Sequence, residues 1–263
     1  MKNVVITGST RGIGLAMAQA FLRAGCQVTL SGRGEKLPQA TREALATDMA
    51  RALYVPCDVR DKVSLMNLWA VSRERWGSVD IWINNAGQNT PYQPCWETGE
   101  PDTAAVIQTN LTGMIFGSQI AAEGMLQQGH GAIYSMEGLG SNNMIQPKTV
   151  LYGTSKHALT YFMKGLAREL AGTGIIAGRL SPGMMLTDFI TKTPDGNPAA
   201  VLTDASFRRV FNILADRPET VARFFIPKIL ANTRNDVQIA WLTPTKAAWR
   251  FMTSFWRKNK LLG

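Results

Sequence analysis

Cysteine and histidine are scarce in this chain: among 263 residues there are three cysteines and two histidines. Cys26, Cys57 and Cys95 form no CxxC pair and are odd in number, so they read as reduced thiols in a cytosolic-type compartment rather than as a disulfide framework. With only His130 and His157 beside them, the usual ligand sets for zinc or another transition metal are missing, and no metal site is expected. Long apolar runs are lacking as well, and none reaches the length that spans a bilayer. There is no internal repeat and no low-complexity tract, which excludes solenoids and long flexible tails. Strand-like sequence begins at Asn3, so no signal or transit peptide is expected ahead of it. Acidic residues are the minority, 19 against 28 basic ones, giving a formal net charge of +9. The basic residues are spread along the chain apart from one C-terminal cluster, and no nucleic-acid-binding module accompanies them, so no nucleic-acid partner is expected. A basic pocket for an anionic cofactor, or attraction to an anionic membrane surface, would use the same surplus.

What is present is a globular balance, 45% hydrophobic and 18% charged, in a length that suits one α/β domain. Short β-branched runs alternate with segments of helical period: Val4 to Thr7, a helix from about Gly12 to Ala24, then Gln27 to Ser31. Further strand candidates are Ala52 to Cys57, Val79 to Asn84, Gly131 to Met136, Ile175 to Leu180 and Gln238 to Leu242, each separated by enough chain for a helical crossover. This rhythm predicts a single-domain, doubly wound α/β fold of the Rossmann-like kind over residues 1–244, with about seven parallel strands and helices on both faces. Residues 188–218 break it with Pro194, Gly196, Pro198 and Pro218 around an apolar helical patch of Phe207, Val210, Phe211 and Leu214. They read as an insertion after the sixth strand, placed to cover a ligand beyond the strand ends.

The first strand runs into Thr7, Gly8, Ser9, Thr10, Arg11, Gly12, Ile13 and Gly14, a TGxxxGxG turn opening a helix. Glycines there let the backbone approach a pyrophosphate, and the unpaired N–H groups of the helix start receive its charge. At the end of the second strand an acidic residue would bind ribose hydroxyls and repel a 2′-phosphate. The sequence there is Ser31, Gly32, Arg33, with no acid, and Arg33 together with Arg11 offers charge-assisted hydrogen bonds to that phosphate. NADPH is therefore the expected cofactor.

Downstream come Asn84, Asn85, Ala86 and Gly87, then Asn110 in a TNLTG segment, then Tyr152 and Lys156 in YGTSK, and Ser181, Pro182 and Gly183 with Thr187. This set, in this order along almost the whole chain, resembles the short-chain dehydrogenase/reductase family. Tyr152 and Lys156 are four apart, on one face of a helix, so an ammonium beside the phenol is expected to lower the tyrosine pKa toward a range useful for acid–base work. The resemblance implies that Tyr152 protonates a carbonyl oxygen while hydride reaches the carbon, that Lys156 holds the nicotinamide ribose, and that Asn110 supports a water relay to the lysine. It also implies that Asp58 and Val59 flank the adenine, that Asn85, Ala86 and Gly87 line the cofactor with Pro182 and Gly183, and that Thr187 meets the carboxamide. A dimer or tetramer is implied in the same way.

One position departs from the family pattern. The serine that normally holds the substrate carbonyl, 13 residues before the tyrosine, is replaced: that offset lands on Leu139, and alignment from the strand lands on Gly138. Ser141 is the nearest hydroxyl and is taken as its substitute, with Glu137 a further candidate as an acceptor or when protonated. The unusual stretch from Tyr134 to Ser141, the run SPGMMLTD (Ser181 to Asp188), PETVAR (Pro218 to Arg223) with a later IPK, and WLTP (Trp241 to Pro244) are similar to chlorophyll b reductases. That branch implies reduction of the 7-formyl group of chlorophyll b or chlorophyllide b. The alternatives are another aldehyde or ketone, such as a 3-oxoacyl thioester, and a non-catalytic NADPH- or pigment-binding module. A flat apolar macrocycle calls for an aromatic and aliphatic lining, which the Phe189 to Leu214 segment and the seven tryptophans are candidates to supply. Finally, residues 245–263 hold five basic residues and no acidic one, with Trp249, Met252, Phe255 and Trp256 at helical spacing. They read equally as a helix lying on a membrane, which would make a cytoplasmic protein peripheral to it, and as a helix packed on its own domain.

Overall fold

In the computed structural model, which describes residues 1–193, 196–255 and 261–262, the apolar runs pair in parallel as one sheet of seven strands. Their order is β3-β2-β1-β4-β5-β6-β7. The strands are β1 (Asn3–Ile6), β2 (Gln27–Gly32), β3 (Ala52–Pro56), β4 (Ile81–Asn84), β5 (Gly131–Met136), β6 (Ile175–Ser181) and β7 (Val237–Ala240). Parallel strands need long crossovers, and helices supply them on both faces. These are α1 (Gly12–Arg23), α2 (Gln39–Ala44), α3 (Lys62–Trp76), α4 (Glu100–Ile107), α5 (Gly113–Gln128), α6 (Val150–Glu169), α7 (Asp188–Thr191), α8 (Ala205–Leu214), α9 (Pro218–Ala231) and α10 (Pro244–Met252).

Central strands covered on both faces are mainly apolar, and all four residues of β1 and of β4 are buried, the polar ones being Asn3 and Asn84 at the strand ends. One core layer packs α1 and α9 on the sheet around Phe21, Leu30 and Phe225; the other packs α3, α5 and α6 around Leu68, Trp82 and Met163. The sheet order reverses between β1 and β4, and in such sheets ligands bind at the carboxyl ends of the strands beside that reversal.

The sequence boundaries hold with small shifts. The fourth strand begins at Ile81 rather than Val79, because the Val79 backbone is bonded at both its N–H and its carbonyl by the Gln128 side chain, at 3.0 and 3.1 Å, instead of entering the ladder. The insertion is closed at its base, where Leu186 N–H donates to the Asp216 carbonyl and Asp216 N–H to that of Met184, both at 3.1 Å. Within it, Asp204 caps α8 by accepting from the N–H groups of Ser206 and Phe207. Pro194, Trp256 and the basic residues at 257, 258 and 260 lie outside the described residues.

Two expectations about apolar surface change. Trp69 and Trp82 are core residues, as is Phe211 of the insertion, because each fills space under a helix. Trp241 packs edge-on against Phe224, leaving Trp96 and Trp249 as the strongly exposed tryptophans among those described. In α10, Arg250 turns inward rather than toward solvent: it reaches the Leu214 carbonyl at 2.7 Å and Asp216 at 2.6 Å, which ties the helix to the base of the insertion. Trp249, Met252 and Phe255 remain exposed.

Candidate active site

The turn from β1 into α1 forms the first wall of the site. Gly8 has φ +61°, and a Cβ there would come within 2.8 Å of the Ala86 backbone, so only glycine lets this turn pack against the strand β4 loop. Gly14 sits over Ser9 and Asn85, with no room for a side chain, and Gly12 faces the Thr187 methyl across the groove. Arg11 holds the N-cap position of α1 without a side-chain cap, so the helix start keeps its N–H groups for a ligand. Ile13 packs on the core and Thr10 accepts a bond from Thr41 at 2.7 Å. The Ser9 and Ser31 hydroxyls are engaged inside the turn, both donating to the Ile6 carbonyl. These two serines shape the loop rather than offer hydroxyls to a ligand.

Thr7, read in the sequence as part of the turn motif but given no role, stitches the two walls: its hydroxyl accepts from the N–H groups of Asn85 and Ala86 at 3.0 and 3.1 Å. The Asn85 amide donates to the carbonyls of Thr7 and Gly8, while its oxygen is buried without a partner among the described residues. A glycine cradle, a free helix start and an orphaned buried acceptor fit a dinucleotide. Arg33 is exposed beside the groove, and Arg11 is 77% exposed with Asp188 3.9 Å away. Asp58 is clasped by Arg60, which holds its carboxyl below the usual range, and Val59 is buried against Gly113. Pro182 is buried, and Gly183 lies against Leu242.

The second half of the site stands on α6. Lys156 Nζ donates to the Met136 carbonyl at 2.9 Å and lies 5.8 Å from the center of the Tyr152 ring. The space above Gly87 is bounded by Asn110 Oδ1 and Lys156 Nζ. Asn110, on a π turn (Gln108–Thr112), grips the main chain of Gln88 at both N–H and carbonyl and donates to Ser155 Oγ at 3.1 Å. Asn110 thereby fixes the β4 loop to α6. The Phe189 ring packs on Tyr152 with centroids 5.5 Å apart, a contact the sequence did not place, although it offered the Phe189 to Leu214 segment as substrate lining.

Two expectations are corrected here. The Tyr152 phenol is pushed up, not down, because burial disfavors phenolate. The same burial brings the Lys156 ammonium down to about 8, against the field of Glu137. Ser141 does not act as a free donor: its hydroxyl donates to the Lys156 carbonyl at 3.2 Å and accepts from Gly138 N–H at 3.2 Å. A hydroxyl has one hydrogen, so as placed Ser141 ties the β5 loop to α6 and has no proton left for a substrate. The residue facing the phenol is Gly138: a Cβ there would lie 2.2 Å from the Tyr152 hydroxyl. The phenol occupies the room a serine side chain would need.

A parallel seven-stranded sheet, a glycine turn at its reversal, and Tyr152 with Lys156 opposite define a nicotinamide-dependent oxidoreductase site, and the short chain dehydrogenase family profile matches residues 2–198. The chain belongs to the short-chain dehydrogenase/reductase family. It is 31% identical to the probable chlorophyll(ide) b reductase NYC1 of Oryza sativa subsp. japonica, over 98% of this chain and 53% of that protein. It is 32% identical to the chlorophyll(ide) b reductase NOL of Arabidopsis thaliana, over 93% of this chain and 71% of the relative. Both relatives are described as chloroplastic, and the chain spans about half the length of the first. A short-chain type dehydrogenase/reductase from Mycobacterium marinum superposes with a TM-score of 0.78 at 26% identity, covering 91% of this chain and 94% of that one. Among the described residues no helix is long and apolar enough to cross a membrane, and no cluster of potential metal ligands occurs.

Proposed function

We propose that this chain is an NADPH-dependent carbonyl reductase that converts the 7-formyl group of chlorophyll b or chlorophyllide b to a hydroxymethyl group. The observation carrying this reading is the likeness to two chlorophyll(ide) b reductases over 93% and 98% of the chain. NADPH is favored over NADH by the absence of an acid in the strand-end run Ser31, Gly32, Arg33 and by the exposed Arg33 and Arg11.

Bound NADPH supplies hydride to the carbonyl carbon. The chain's own part is to hold the dinucleotide between Gly8, Gly12, Gly14, Asn85 and Thr187, and to protonate the oxygen. A phenol pushed up by burial is protonated at neutral pH, which is the form a reduction requires of its donor. With Gly138 supplying no hydroxyl, Tyr152 both polarizes the carbonyl and delivers the proton, and Lys156 beside it favors the charge that develops on the phenol oxygen. Phe189 on α7 packs on Tyr152, and the exposed Met144, Ile145 and Trp96 offer apolar surface on segments that follow the strands.

Incubating the protein with chlorophyllide b and NADPH tests this. A 7-hydroxymethyl product, formed faster with NADPH than with NADH and lost in Tyr152→Phe, is the expected result. A folded, NADPH-binding protein that leaves the formyl group intact but reduces a 3-oxoacyl thioester would reassign the substrate. Binding without turnover on any carbonyl, unchanged by Tyr152→Phe, would leave the non-catalytic reading that the missing hydroxyl at Gly138 favors.

A further inference from the structure

The chain's own groups close most of the space around the Tyr152 phenol and leave the residue 9% exposed. Its hydroxyl has no hydrogen-bond partner among the described residues, yet it is not among the sealed side-chain atoms that lack one, which are Asn3 Oδ1, Asn85 Oδ1 and Arg179 Nε. The opening that remains over Tyr152 therefore includes the reacting oxygen. Two walls bound it. Gly138, just after β5, is so close that a Cβ there would lie 2.2 Å from the hydroxyl. The Phe189 ring stands against the phenol at 58°, with centroids 5.5 Å apart. Phe189 is held in place by its element: just ahead of α7 the Leu186 N–H donates to the Asp216 carbonyl, and Asp188 pairs with Lys192 at 3.2 Å and with Arg11 at 3.9 Å.

We propose that Phe189 is a specificity-determining residue that admits aldehydes to Tyr152 and turns ketones away. A carbonyl oxygen bonded to the phenol lies about 3 Å from it, so both substituents of the carbonyl carbon come within about 5 Å of the phenol oxygen. One face of that carbon must stay open to hydride. One substituent can run out through the opening, and the other is left between the Phe189 ring and the Gly138 main chain. A hydrogen fits that space. A methyl or methylene presses on the ring, and one carbon too many in a packed site costs about tenfold or more in rate. A formyl group on a macrocycle is an aldehyde and a 3-oxoacyl thioester is a ketone, so the inference rests on the proposed reduction and gives a physical reason for this site to favor the first.

The probes are 2-naphthaldehyde and 2-acetylnaphthalene, which share one flat ring system and differ by a methyl on the carbonyl carbon. The readout is the ratio of their kcat/KM values with NADPH, aldehyde over ketone, compared between wild type and variant so that intrinsic reactivity cancels. Phe189→Ala should lower the ratio by about tenfold or more, and Phe189→Leu by less. If Phe189 only steadied the phenol, its loss would slow both compounds alike; an unmoved or rising ratio in folded Phe189→Ala protein therefore overturns the proposal. If that variant does not fold, Phe189→Leu is read in the same way. Should the wild type turn over neither compound, the ratio of their dissociation constants, from ligand-detected NMR on the full chain, is read instead, with the same expected fall. A lowered ratio in a protein that leaves chlorophyllide b unreduced would count against the pigment alone.

Discussion

At Gly138 a single missing side chain sets the shape of the site. The phenol hydroxyl lies 2.2 Å from where a Cβ would be, so restoring the family's serine by Gly138→Ser should not add a helpful donor. It should displace Tyr152 and lower kcat/KM by about tenfold or more, since small misplacements of a catalytic group are costly; steady-state kinetics with chlorophyllide b would read this. Lys156 gives a pH signature with two opposite signs. Its folded-state value of about 8 lies below the ordinary 10.5, so activity that needs the ammonium should decline as pH rises through 8. Over the window from about 8 to 10.5 the unfolded chain binds more of this proton, and the lysine's contribution to stability should instead grow with pH. A pH profile of kcat/KM beside denaturant titrations at pH 7 and 10 separates the two. The sequence showed that residues 152 and 156 share a helix face, but the four-residue spacing says nothing about water exclusion. Burial, a tertiary property, reversed the expected direction for the phenol.

Among the elements, α10 is clamped by a side chain to the base of the insertion at the end of α8. Arg250, 5% exposed, joins α10 to the Leu214 carbonyl and Asp216, and Asp216 also accepts from Trp241 Nε1 at 2.7 Å. Removing one partner strands a buried charge, so Arg250→Ala should cost about 3 kcal/mol. The same variant should open residues 196–216 to limited proteolysis, with urea denaturation giving the energy. The helix carrying Trp249 and Met252 was legible in the sequence, as was the placement of an insertion after β6, but the helix ends at Met252 and Phe255 lies in the turn beyond it. That Arg250 points into the protein was not legible, because a basic residue in an amphipathic pattern reads as solvated until its partner, 34 positions earlier in the chain, is brought beside it.

For the whole molecule, the exposed apolar residues of α10 and of the turn after it, with the net charge of +9, bear on what the protein meets. We propose peripheral contact with an anionic lipid surface through Trp249, Met252 and Phe255. The full chain should float with vesicles rich in anionic phospholipid and not with neutral ones, and Trp249→Ser with Phe255→Ser should abolish flotation while leaving the Arg250 clamp intact. Truncation at Pro244 is a poorer test, since it removes that clamp. A homo-oligomer, dimer or tetramer, is expected in solution, and light scattering on the purified chain would measure it; a monomer at micromolar concentration would refute it.

The sequence by itself determined the parallel sheet, its glycine turn, the family and the placing of Tyr152 and Lys156 on one helix, because strand period, turn chemistry and helix spacing are local properties of the chain. Only the tertiary structure decided that Gly138 faces the phenol, that Ser141 is bound to the Lys156 backbone, and that Glu137 meets Arg179, whose residues lie 42 positions apart. Those outcomes depend on desolvation and on which distant groups share a buried space, and no local pattern encodes either.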